Sequence, residues 1–356
     1  MKEDQTFSRG KAAIVTLLLF FSINMAARAF DSGKIRSDTG TPENVISSAP
    51  GYLGYSGMAL FNNDSYILVH DTKIKPGEDH ESRISLLVVD CRGMYRETPL
   101  RVNWESKLKR KSNDLEGICA IPGREHEFLT VESGGYRGDN GETQIYGHIF
   151  HIRFTKNHEG EWCGRIKQAI RMPAELTGVE GIACVRINDE SLLLILGECG
   201  SRTRQGSEVI IKPARLHWDT LQLMSPNNTP QKFYSRGFVE FISPDLAACS
   251  FSVAMRSCSD MYVDSNNRLW ISAALDPGNA GPFRSVIYQA GRIEPGATKQ
   301  PIRIDCRFNE VWFIDGLKVE ALAAAPTCLA GKAVLSFASD DENYHGIWRP
   351  LFPNPR

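Results

Sequence analysis

The chain has 356 residues, 42% of them hydrophobic and 23% charged, with 41 Lys and Arg against 42 Asp and Glu. Such a composition supports a sizeable hydrophobic core and excludes a disordered tail or a small scaffold held by cross-links alone. The near-neutral charge argues against binding nucleic acid in bulk.

Residues 1–29 read as a secretory signal. Lys2, Arg9 and Lys11 come before and at the edge of the twelve-residue apolar run AAIVTLLLFFSI, and Ala27-Arg28-Ala29 fits a small-x-small cleavage site. An uncleaved anchor is the alternative, but the run is shorter than the roughly 20 residues that a bilayer core requires. Cleavage removes four basic and two acidic residues, leaves 37 basic against 40 acidic groups, and leaves no further apolar stretch long enough to span. The expected location is periplasmic or secreted. All nine cysteines lie beyond the signal, so an oxidising compartment implies some disulfides, with at least one cysteine lacking an intrachain partner. Cys249 and Cys258 are nearest in sequence, whereas Cys119 and Cys184 fall at apolar strand positions that suit a buried thiol equally well. Asn63 and Asn227 begin sequons, relevant only in a host that glycosylates.

From residue 30 onward the chain repeats. Gly57 in SGMALF, Gly117 in EGICAI, Gly181 in EGIACV, Met261 in DMYVD and Ala321 in EALAAA align at intervals of 60, 64, 80 and 60 residues. Each start leads into short runs rich in Val, Ile, Leu, Phe, Tyr and Trp, broken by Gly, Asn, Asp and Pro. In the second unit the expected strands are 116–121, 126–132, 145–155 and 162–172; in the fourth they are 260–264, 268–274, 285–293 and 301–314. No window sustains the spacing of a long amphipathic helix. The expected fold is therefore all-β, a single β-propeller domain over residues 30–356 with four-stranded blades. Five blades are favoured and six are the alternative, because FVEFIS at 238–243 could begin another unit; here it is assigned to the outer strand of the third blade. The segment from Ile35 to Ser48 is expected to supply the outer strand of the last blade.

If the first strand of each blade lines the axis, Glu116, Glu180, Asp260 and Glu320 converge on one mouth of the channel. The second strand runs back antiparallel, which brings Glu132, Glu198 and Asp340 to the same face, with Asp71 from the first blade. Facing carboxylates repel unless protonated, paired or neutralised. Hard oxygen donors without converging His or Cys suit calcium or magnesium, and calcium is the expected cofactor. The competing reading is that these acids cap strand ends at blade junctions. Loops after the second strands carry Arg137, Arg202, Arg204 and Arg284 to the same face, where guanidinium forks would match an anionic substrate, most simply a phosphate ester. Their alternative is pairing with nearby Asp and Glu.

GxSxG, Walker A and HExxH motifs are all absent. His70-Asp71 at a strand end could hold a general base and is read as solvated; His148 and His151 are three apart and face opposite sides of a strand; Trp270, Trp312 and Trp348 are read as blade core. The DLEGI and VEGIA pattern, each followed by an apolar strand ending in an acid, resembles the secreted phytase-like or esterase-like propellers. More distantly it is similar to the five-bladed, calcium-dependent apyrase-type nucleotidases. That resemblance implies an axial cation with phosphate esters or nucleotides as substrates, and Glu116, Glu180 and Glu320 as matching acids. The chain departs from the pattern in blade one, Ser56-Gly57-Met58, and in blade four, Asp260-Met261-Tyr262. Two functions are expected: a calcium-dependent phosphoester hydrolase, or a non-catalytic propeller that holds a small anionic ligand or a partner protein.

Overall fold

Apolar runs separated by turn residues become antiparallel sheets in the computed structural model of the chain. The structure describes residues 54–72, 83–104, 112–134, 136–137, 143–144, 147–172, 178–198, 210–217, 221, 223–224, 241–242, 258–295, 297, 301–304, 311–341 and 345–353. The signal, the Ile35–Ser48 segment and the Asn227 sequon lie outside these residues.

The first sheet runs in the order β1 (Gly57–Asn62), β2 (Ser65–Val69), β3 (Ile84–Val89), β4 (Tyr95–Pro99). The chain then enters the second sheet through β5 (Arg101–Asn103), followed by β6 (Leu115–Ala120) and β7 (Glu127–Glu132). After a two-residue-strand hairpin, β8 (Tyr136–Arg137) and β9 (Thr143–Gln144), come β10 (His148–Lys156) and β11 (Trp162–Arg171). The spatial order is β6-β7-β10-β11, with β5 added parallel to β11 at the outer edge. The third sheet contains β12 (Val179–Arg186), β13 (Ser191–Glu198), β14 (Ile210–His217), β15 (Leu223–Met224) and β16 (Phe241–Ile242), the last two both pairing with β14. Phe241 and Ile242 of FVEFIS, the described part of that stretch, thus form an outer strand of the third blade, as expected.

The fourth sheet is β17 (Asp260–Val263), β18 (Arg268–Leu275), β19 (Arg284–Ile293), β20 (Ile302–Ile304) and β21 (Val311–Asp315). The expected single strand over 301–314 is two, each pairing with a different part of β19. The last sheet shows three described strands, β22 (Val319–Ala323), β23 (Leu335–Ser339) and β24 (Trp348–Leu351). No α-helix occurs among the described residues, only a 3-10 turn at Thr327–Leu329, and no described helix is long and apolar enough to cross a membrane.

The inner strands β1, β6, β12, β17 and β22 each pack on the next, and β22 returns to β1, so the molecule is a five-bladed β-propeller. One apolar core fills each junction. Ile67, Ile118 and Phe128 join blades one and two; Val131, Ile182 and Leu194 join two and three; Ile195, Met261 and Ile271 join three and four. Trp270, Trp312 and Val319 join four and five, and Tyr66, Leu68, Ala321 and Trp348 join five to one. The second strands are buried on both faces, which is why SYILV and LLLIL read as continuous apolar runs rather than alternating ones. Each such side chain contributes about 1.5–3 kcal/mol on burial. The three tryptophans are core residues, as expected. Tyr66 closes the ring with a further bond, its hydroxyl donating to the Ala324 carbonyl at 2.9 Å.

Candidate axial site

The recurring Glu-Gly step has a backbone cause. In blade two, Leu115 pairs with Glu132 and Gly117 with Val131, so Glu116 is an extra residue at a β-bulge. Glu180 lies in the same way between Val179, opposite Glu198, and Gly181, opposite Gly197. Glu320 lies between Val319, opposite Ser339, and Ala321, opposite Ala338. A bulge bends its strand and re-aims one side chain. In blade four the paired register begins at Asp260, opposite Ser272, and the preceding Ser259 amide also donates to the Ser272 carbonyl at 2.8 Å. The glycine that follows each of the first two glutamates admits the next blade: a Cβ on Gly117 would stand 3.0 Å from Ile182 N, and one on Gly181 3.0 Å from Met261 N.

These glutamates converge. Burial raises the Glu116 carboxyl well above its ordinary range, and Glu180, Asp114, Asp71 and Glu320 push it further the same way. Four acids from blades one, two, three and five therefore act on one carboxylate that is itself buried. Burial also raises Asp260, opposed by the amides of Leu322 and Met261 and reinforced by Glu320.

The blade-five sector carries its own positive charge, which the sequence reading missed. Lys318, only 3% exposed, places Nζ 3.3 Å from Glu320 Oε1 and 3.3 Å from Asp340 Oδ2. Its backbone amide donates to Asp341 Oδ1 at 2.8 Å, and the Ser339 hydroxyl donates to Asp341 Oδ2 at 2.6 Å. The signal was the Lys-x-Glu spacing in GLKVE, which sets Lys318 two residues from Glu320. Asp340 also fills the space that a side chain at Gly54 would need, tying the last blade to the entry of the first.

The other acids have different employment. Asp260 is fully buried and its Oδ2 accepts the Leu322 amide at 2.6 Å, an inter-blade cap, while its Oδ1 has no hydrogen-bond partner. Glu132 Oε1 accepts the Asn113 amide at 2.9 Å, and Oε2 lies 3.1 Å from His148 Nδ1. Glu198 is buried at the end of β13.

Of the four arginines, Arg284 is exposed on a third strand and its Nε donates to Asp315 Oδ1 at 2.6 Å. Arg137 ends the short strand β8; Arg202 and Arg204 lie outside the described residues. His70 is buried rather than solvated: its Nδ1 lies 2.6 Å from the Gly54 carbonyl and its Nε2 3.0 Å from Ser85 Oγ, because β3 and the Glu97 side chain cover it. Burial holds its pKa down, against the pull of Glu97. His151 pairs with Glu127 at 2.6 Å, away from His148.

The donors suit a hard cation in part. Carboxylate oxygens of Glu116 and Glu180, with Asp71 and Asp114 acting on the same centre, are calcium-type ligands, and a cation would relieve the repulsion on Glu116. Glu320 and Asp340 are already matched to Lys318. Among the described residues no three His, Cys, Asp or Glu side chains are drawn together as a metal-holding group.

No family model matches this sequence, and no curated protein matches it. Among solved structures the chain is similar to a thermostable family-43 glycoside hydrolase at 10% identity, covering 82% of this chain and 86% of that one, with a TM-score of 0.43. It is similar to the soluble aldose sugar dehydrogenase from Escherichia coli at 12% identity, over 86% and 97% of the two chains, with a TM-score of 0.40. A GH43 endo-arabinanase from Bacillus licheniformis is similar at 10% identity, over 86% and 96%, with a TM-score of 0.38. At these values no residue role passes from those proteins to this chain.

Proposed function

We propose that this propeller binds a hard divalent cation, calcium foremost, at its axial mouth between Glu116 and Glu180, and takes a small anionic ligand over it. The observation that supports this reading is the packing of β6 on β12, which carry Glu116 and Glu180, with the Glu116 carboxyl raised by burial first and then by the charges of Glu180, Asp114, Asp71 and Glu320. Such a centre binds a cation in preference to remaining charged and bare. Glu320 and Asp340 contribute fixed structure through Lys318 rather than direct ligation.

Hydrolysis of a phosphate ester is the second reading, favoured by one specific feature. His148 begins β10 with its Nδ1 3.1 Å from Glu132 Oε2, and an imidazole that donates to a carboxylate through Nδ1 can accept a proton at Nε2. Calcium would supply charge stabilisation for the ester oxygens. A phosphatase, phytase and nucleotidase screen of the chain, with and without calcium, separates the readings. Calcium-dependent turnover that is lost in His148→Ala would establish the hydrolase, whereas calcium binding with no turnover across the panel would establish the binding propeller. Absence of both calcium binding and turnover would refute the proposal.

A further inference from the structure

We propose that Cys119 and Cys184 form a disulfide that cross-links the inner strands of the second and third blades. Cys119 lies on β6 and Cys184 on β12, with their Sγ atoms 3.6 Å apart. The Cys119 thiol donates toward Cys184 Sγ, and the Cys184 thiol donates to the Ala120 carbonyl at 3.3 Å. Cys184 belongs to the apolar core of this junction and the half-buried Cys119 packs against it. Disulfides join Cα atoms about 4.4–6.8 Å apart, which needs closely approaching backbones. The strands meet that need, since a Cβ on Gly117 would lie 3.0 Å from Ile182 N.

The sequence placed the two cysteines at different steps of their repeats, two residues after Gly117 and three after Gly181, so their meeting was hidden until the blades were set side by side. The reaction is thiol–disulfide exchange with a small-molecule disulfide such as oxidised glutathione. The Cys119 thiolate, on the more exposed of the two residues, attacks one sulfur of the reagent and releases one glutathione thiol. The Cys184 thiolate then attacks Cys119 Sγ and expels the second. Two protein S–H bonds are lost, one S–S bond forms, two protons leave, and the reagent is reduced to two thiols. Burial and the Cys184 contact raise the Cys119 thiol, so the exchange is slow at neutral pH and quickens as pH rises. The bond would sit three residues beyond Glu116 and four beyond Glu180, tying together the strands that carry that pair. It does not depend on the cation reading.

The test is to incubate the purified full chain with oxidised glutathione at pH 7 and pH 9, denature it in iodoacetamide without reduction, digest it and map the peptides by mass spectrometry. The expected product is a peptide pair joined through Cys119 and Cys184, lighter by two hydrogens than the separate thiol peptides and formed faster at pH 9. In Cys119→Ser, and reciprocally in Cys184→Ser, the remaining cysteine should no longer be found in that pair. Recovery of both residues alkylated from the oxidised wild-type chain, or either joined to a different cysteine, would overturn the proposal.

Discussion

A buried ammonium shared by two carboxylates is strongly destabilising to leave half-made. Lys318→Met strands Glu320 and Asp340 in the interior, and the expected loss is about 3–5 kcal/mol, measured by urea unfolding. A loss under about 1 kcal/mol would show that solvent reaches the pair. Asp260 makes a different prediction because it works through one hydrogen bond. Asp260→Asn retains an acceptor for the Leu322 amide and should leave both stability and calcium affinity nearly unchanged, while Asp260→Ala should lose about 1–3 kcal/mol. A large drop in calcium affinity in Asp260→Asn, measured by calorimetry, would make this acid a ligand rather than a cap. The acids were legible in the sequence because they recur at one step of a repeat. Their division of labour was not, since the partners that separate them, the Leu322 amide on Asp260 and the Lys318 ammonium on Glu320, come from strand pairing and from the neighbouring blade. The burial of His70 was equally hidden, because its cover comes from Glu97 on β4.

At the scale of the strand, the Glu-Gly step couples two requirements: the bulge re-aims the glutamate and the bare glycine lets the neighbouring inner strand come close. Gly117→Ala should therefore damage both packing and site. Its Cβ would meet backbone atoms, Ile182 N at 3.0 Å and Glu180 O at 3.1 Å, which cannot rotate away. A loss of about 1–3 kcal/mol is expected, together with weaker calcium binding, read from urea unfolding and calorimetry on the same preparation. Wild-type stability in Gly117→Ala would mean that the inner strands have more room than the structure gives them. The repeat start was readable as a motif, but its meaning as a contact between blades required the ring; blade five carries Ala321 at the same step.

Across the whole molecule, the titrating groups set opposing limits on stability. Asp341 is raised by burial from its ordinary 3.8 to about 6, and Glu116 and Asp260 are raised as well. The folded chain holds these protons more tightly than the unfolded one, so stability falls as pH rises from about 4 through about 6 and beyond. His70 and His151 are lowered by burial, so their contribution is present above their ordinary 6.5 and is lost as pH falls through the lowered values. Thermal unfolding followed between pH 4 and pH 8 should show the carboxylate limb, and calcium should flatten it by compensating Glu116. An identical profile with and without calcium would separate that limb from the proposed cation. The five-bladed architecture itself was legible from the repeat interval and the apolar runs. The splitting of 301–314 into β20 and β21 was not, since both pair with β19 and only the sheet reveals it.

The most direct test of the axial reading is calorimetric titration of calcium into metal-stripped wild-type chain and into Glu116→Gln and Glu180→Gln. The wild-type chain should show one saturable site and a Tm that rises with calcium by mass-action linkage, and each variant should lose both responses while keeping its fold by circular dichroism. No heat and no Tm shift in the wild type at millimolar calcium, or undiminished binding in both variants, would contradict it.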